Sequence, residues 1–102
     1  MRKLLPVMAI LGLALSSCAA SNTDEFRKRD LQGDTACIHF GSGFTDSGSV
    51  GRTNMVKAAE HGAASATEVI RSAVATDAAG KPVIIDLEAF KRACEAQGMS
   101  FK

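Results

Sequence analysis

The chain has no tryptophan and no tyrosine, and only two prolines in 102 residues. The five phenylalanines, at 26, 40, 44, 90 and 101, are the whole aromatic supply. Rings that combine a stacking face with a polar handle are therefore missing, and bases and sugars find few platforms. A dominant charge of one sign is missing too. Twelve basic residues stand against eleven acidic ones, a formal net charge of +1. No large positive field exists to displace counterions from a polyanion, so nucleic acid is not an expected partner. Histidine is scarce, with His39 and His61 alone, which restricts general-base chemistry. The longest apolar run, Leu4 to Leu15, falls short of the roughly 20 residues that span a bilayer, so no transmembrane helix is expected.

The N-terminus carries the most specific pattern. Arg2 and Lys3 form a positive start, the run from Leu4 to Leu15 is apolar and uncharged, and small residues follow in Leu15-Ser16-Ser17-Cys18. This arrangement resembles the lipobox signal peptide of bacterial lipoproteins. The resemblance covers about the first eighteen residues, and the rest of the chain resembles no family. It implies that residues 1–17 are removed and that the Cys18 sulfur carries a diacylglyceryl group, with fatty chains such as palmitate. Each buried methylene contributes about 0.8 kcal/mol, so two or more chains make membrane residence effectively permanent. Residue 19 is Ala rather than Asp. Within the resemblance, that points to the outer membrane of a two-membrane cell envelope.

Without Arg2 and Lys3 the remainder has ten basic and eleven acidic residues, and it is long enough for one domain. Such a small domain has little core and usually needs a staple. Once Cys18 is lipidated, Cys37 and Cys94 remain, and exported thiols oxidise. An even pair bracketing the domain reads as one disulfide. Closing a loop of about sixty residues contributes about 4 kcal/mol in the chain-entropy treatment.

Along the chain, residues 18–35 read as the lipidated cysteine and a flexible tether, reaching about 20–25 Å. The globular domain is then 36–102. Ala36 to Phe40 reads as a strand with Cys37 and His39 on one face and Ile38 and Phe40 on the other. The Gly- and Ser-rich stretch from Gly41 to Gly51 reads as a loop. Val56, Ala59, Ala63, Ala66, Ile70 and Ala73 recur at alternating spacings of three and four, a helical stripe. One long Ala-rich helix from Thr53 to Thr76 is expected, with Gly62 its weak point. On that reading Gly62→Ala stabilises by up to about 1 kcal/mol. The competing reading ends the helix at Gly62 and makes Thr67–Ala75 a strand. Asp77 to Gly80 is a turn, Pro82–Ile85 a short strand, and Asp86 the cap of a C-terminal helix with Glu88 in its first turn. Leu87, Phe90 and Cys94 share one face of that helix, and Gly98 stops it. The fold class is α+β.

Patterns for chemistry fall short. Asp46 to Thr53 ends like a phosphate loop, but Asp46 stands where the first Gly belongs and Arg52 replaces the phosphate-binding Lys. Gly41-Ser42-Gly43 lacks the third Gly of a dinucleotide fingerprint. No serine sits in a nucleophile elbow. His39 near Asp46 or Ser47 has no recognisable catalytic spacing, and no cofactor is expected. The expected function is therefore a non-enzymatic interaction module, anchored in the envelope by lipid and serving a protein partner. The candidate binding surface is the stretch containing Gly41, Gly43, Phe44 and Asp46. The alternative is a metal-binding lipoprotein using Cys37, His39, His61 and Cys94 in a Cys₂His₂ set, which competes directly with the disulfide.

Overall fold

The computed structural model describes residues 23–101. Five helices and a two-stranded antiparallel sheet follow in the order α1 (Thr23–Arg29), α2 (Leu31–Phe44), α3 (Ser49–Ala63), α4 (Glu68–Arg71), β1 (Val74–Thr76), β2 (Pro82–Ile84) and α5 (Leu87–Glu95). The α+β class is as the sequence predicts. The signal region and Cys18 lie outside the described residues.

The expected tether is not a tether from Thr23 onward. Helix α1 has Asp24 and Glu25 in its first turn and Arg27, Lys28 and Arg29 in its last, which complements the helix dipole. Its single buried side chain, Phe26, is 1 % exposed and belongs to the core. The mixed charges that suggest a solvated segment are the outer face of a helix held by one aromatic residue. The globular part therefore begins before residue 36.

The expected strand at 36–40 is the middle of α2. Gly33, Ala36, Cys37 and Phe40 are its buried face, a spacing of three and four, while Ile38 points to solvent. Five residues were too few to separate a period of two from one of 3.6. Helices α2 and α3 form an antiparallel pair and the most extensive contact in the molecule. The expected glycine loop supplies this contact. Gly43 sits in α2 and Gly51 in α3, and only residues 45–48 connect the two helices. A Cβ on Gly43 would lie 2.9 Å from the Gly51 carbonyl oxygen, and one on Gly51 would overlap the Asp46 carbonyl. Backbone approaches backbone here because no side chain intervenes.

The long helix is also corrected. It starts at Ser49, ends at Ala63, and is followed by a turn, the single turn α4 and strand β1. The buried line of α3 includes Gly51, Ala58 and Gly62, with Met55 partly buried beside it, while Val56 and Ala63 face outward. Gly62 lies within the helix and its φ is not positive. A Cβ there would lie 2.9 Å from Cε2 of Phe90 and 3.1 Å from Cγ2 of Val74. Gly62→Ala is therefore expected to destabilise by about 1–3 kcal/mol through overpacking. That is the reverse of the helix-propensity expectation. Urea denaturation checks it, and an unchanged or higher midpoint would contradict the packing argument.

Strands β1 and β2 pair with Val74 opposite Ile84, Ala75 opposite Val83 and Thr76 opposite Pro82. Asp77 shapes the connection, its Oδ1 accepting from the N–H of Ala79 and of Lys81, both at 2.9 Å. Asp86 caps α5 as expected, accepting from the Ala89 N–H at 3.0 Å. Phe90, Ala93 and Cys94 are the buried face of α5, whereas Leu87, expected on that face, is exposed. Gly98 follows with φ of 102°. The core centres on Phe26, Phe40, Ile70 and Phe90, with the Phe40 and Phe90 ring centroids 5.0 Å apart.

Candidate functional site

Cys37 of α2 and Cys94 of α5 form a disulfide with a Cα–Cα distance of 5.7 Å. Both are fully buried. The bond is the one the sequence predicts, and it fastens the C-terminal helix to the α2–α3 pair, not to a strand. It also occupies both sulfurs of the expected Cys₂His₂ set, so that set does not exist in the oxidised protein. Among the described residues no three His, Cys, Asp or Glu side chains are grouped to hold a metal ion.

The two histidines do come together. Their rings are 5.6 Å apart between centroids and parallel to within 4°. Each is half-buried, and each is backed by an amide from the facing helix. Nδ1 of His39 lies 2.8 Å from Oδ1 of Asn54, and Nδ1 of His61 lies 2.7 Å from Oε1 of Gln32. Gln32 and His39 are seven residues apart on α2, and Asn54 and His61 are seven apart on α3. Two helical turns separate each pair, so the four form one polar stripe along the seam. Reading 31–40 as tether and strand hid this spacing. His39 bonds to Asn54 and to neither Asp46 nor Ser47. Asp46 instead accepts from the Gly48 N–H at 2.8 Å.

Beside the disulfide runs an open groove of about 410 Å³, bordered by Ile38, Gly41, Ser42 and Thr45 of α2 and its end and by Met99 and Phe101. The predicted binding residues Gly41, Gly43 and Phe44 thus sit on a helix, and only Asp46 lies in a turn. Gly41 alone among them borders the groove. Ile38 is 55 % exposed and Phe44 43 % exposed, with the Lys91 ammonium 5.1 Å from the Phe44 ring centroid.

The most heavily bonded side chain was not singled out by its sequence. Asp30 separates α1 from α2 and is 3 % exposed. Its Oδ1 accepts from the N–H of Gly33 at 2.9 Å and of Ala66 at 3.0 Å. Its Oδ2 accepts from Ser65 Oγ at 2.6 Å, Thr67 Oγ1 at 2.6 Å and the Thr67 N–H at 3.1 Å. Burial pushes this carboxyl up, but the hydrogen bonds from Ser65, Thr67, Ala66 and Gly33 outweigh it and hold the pKa at about 2. One carboxylate thus caps α2 and gathers the turn after α3, giving the N–H groups of 66 and 67 an acceptor outside the helix. That is the physical reason the Ala-rich helix stops. Asp34 next to it shifts the other way. Burial raises its pKa, with Asp24 and Asp30 adding to the rise and Arg27 opposing it.

No described helix is long and apolar enough to cross a membrane. No family model, curated protein or solved structure matches the chain. The class that the fold defines is a small, disulfide-closed α+β domain.

Proposed function

We propose that the chain is an envelope lipoprotein, anchored by lipid on Cys18 and acting as a non-enzymatic interaction module. One observation carries the anchoring. The chain has three cysteines, and Cys37 and Cys94 are bonded to each other. Cys18 is therefore left without a partner thiol in its own chain, at the position where the lipobox pattern requires a lipidated residue. A buried disulfide also accords with an oxidising compartment outside the cytoplasm. Ala19 favours the outer membrane of a two-membrane envelope. For the interaction face, the groove beside Ile38 replaces the glycine loop as the best candidate. It offers a partner protein's side chain an open cleft that combines the apolar Ile38, Met99 and Phe101 with the hydroxyls of Ser42 and Thr45.

Membrane fractionation tests the anchor. Wild-type protein is expected in the membrane fraction and Cys18→Ser in the soluble fraction or unprocessed. Firm membrane association and normal processing of Cys18→Ser would refute it. A photocrosslinker at Ile38 tests the groove in the same membranes. It is expected to yield a discrete adduct that one at exposed Glu60 does not, and equal patterns from both sites would rule the groove out.

A further inference from the structure

We propose that His39 and His61 form an open two-imidazole site for a divalent transition-metal ion, copper(II) foremost. The argument starts at the amides. Asn54 Nδ2 donates to the Val50 carbonyl at 3.1 Å, which turns Oδ1 toward His39. An oxygen facing Nδ1 makes that nitrogen the donor, so in the neutral ring Nε2 carries the lone pair. Gln32 Oε1 faces His61 Nδ1 in the same manner. Both neutral rings thereby present Nε2 as the nitrogen with the lone pair, and His39 keeps the outer hydrogen bond typical of metal-binding histidines.

The spacing fits. An ion held about 2 Å from each Nε2 places two imidazole centroids from about 4.5 Å apart, for ligands at right angles, to about 6 Å apart, for opposed ones, and the observed separation of 5.6 Å lies within that span. Because the planes are parallel, the in-plane lone pairs do not converge as the rings stand, so His61 gives up its bond to the exposed Gln32 side chain and turns toward the ion while His39 keeps its bond to Asn54. The two ligands come from separate helices whose glycine-mediated packing fixes their distance. With no third His, Cys, Asp or Glu grouped with them among the described residues, the remaining coordination positions go to water or an external ligand. Imidazole donors suit Cu, Ni and Zn, and Cu(II) heads the affinity order among them. Neither sulfur is needed, so the site coexists with the disulfide.

The test is copper(II) titration of the full chain, free of any polyhistidine tag, read by electron paramagnetic resonance. One equivalent is expected, with hyperfine coupling to two imidazole nitrogens. His39→Ala and His61→Ala are each expected to weaken binding at least about tenfold. Asn54→Ala, which frees the His39 ring from its amide, is expected to weaken it about tenfold. Coupling to fewer than two imidazole nitrogens in the wild-type complex overturns the proposal without recourse to any variant. So does a double His39→Ala/His61→Ala protein that binds copper as tightly as wild type. Cys18→Ser is expected to leave binding unchanged, which separates this site from the anchoring proposal.

Discussion

Asp30→Ala is expected to lower stability by about 3–5 kcal/mol, among the largest single-residue effects in this chain. The substitution removes the acceptor of five hydrogen bonds, three of them from backbone N–H groups. It uncaps α2 and releases the turn after α3 together. Asp30→Asn keeps one acceptor oxygen and is expected to fall between wild type and Asp30→Ala. The same carboxylate predicts a pH response. Its pKa is held at about 2 in the folded protein against an ordinary 3.8. Above the ordinary value both folded and unfolded chains are ionised, and the full difference, about 2 kcal/mol, stabilises the fold. As pH falls from 4 toward 2 the unfolded chain takes up the proton first, and the contribution is lost. Denaturant midpoints measured from pH 6 to pH 2 check this. Wild type is expected to lose stability more steeply than Asp30→Asn across that lower window. Parallel curves would remove Asp30 as the cause. Asp34, with its raised pKa, works in the opposite direction and flattens part of the slope.

Removing the Cys37–Cys94 bridge is expected to cost about 2–5 kcal/mol and to lower Tm by about 10 °C or more. The bond closes a separation of 57 residues, and α5 has few other contacts with α2. Both sulfurs are fully buried, so reductant is expected to act only after the fold opens. Thermal melts of wild type with and without reductant, beside the Cys37→Ser/Cys94→Ser protein, provide the measurement. Melts indifferent to reductant in a protein whose thiols titrate as reduced would contradict the stapling role.

What the sequence disclosed depended on how local each feature's cause is. The Asp86 cap, the turn at Asp77–Gly80 and the strand at Pro82 rest on residues within a few positions, and all were legible. The cysteine pair was legible from parity and compartment. The α2–α3 pair was not, because it closes around Gly43 and Gly51, with Gly43 against the Gly51 carbonyl and Met55, and Gly51 against the Asp46 carbonyl of the connecting turn. By propensity the two glycines argue for loops, and in this fold they permit close approach. Of the stripe Val56, Ala59, Ala63, Ala66, Ile70 and Ala73, Ala59, Ile70 and Ala73 are buried and the other three are exposed, because the buried line of α3 runs through the small residues Gly51, Ala58, Ala59 and Gly62. The end of α3 was hidden for a different reason. It depends on Asp30, more than thirty residues away, and nothing near Ala64 records that carboxylate. The histidines were noted as a pair, but their amide partners Gln32 and Asn54 become visible only once both segments are helices in antiparallel register.

Helix α1 changes the mechanics of the proposed anchor. Phe26 fastens this helix into the core, so a lipid on Cys18 would be separated from the folded body by a leash of Ala19, Ala20, Ser21 and Asn22 alone. Fully extended, the five steps from Cys18 to Thr23 cover about 17 Å. A protein moored so closely would sample a thin slab of space above the headgroups, with the N-terminal end of α1 kept near the bilayer. Its local concentration there is high and its orientations are few. Any partner of the groove or the histidine stripe would then have to come within a leash length plus the breadth of the folded body from the lipid surface. Lengthening the leash then becomes a means of separating recognition from location.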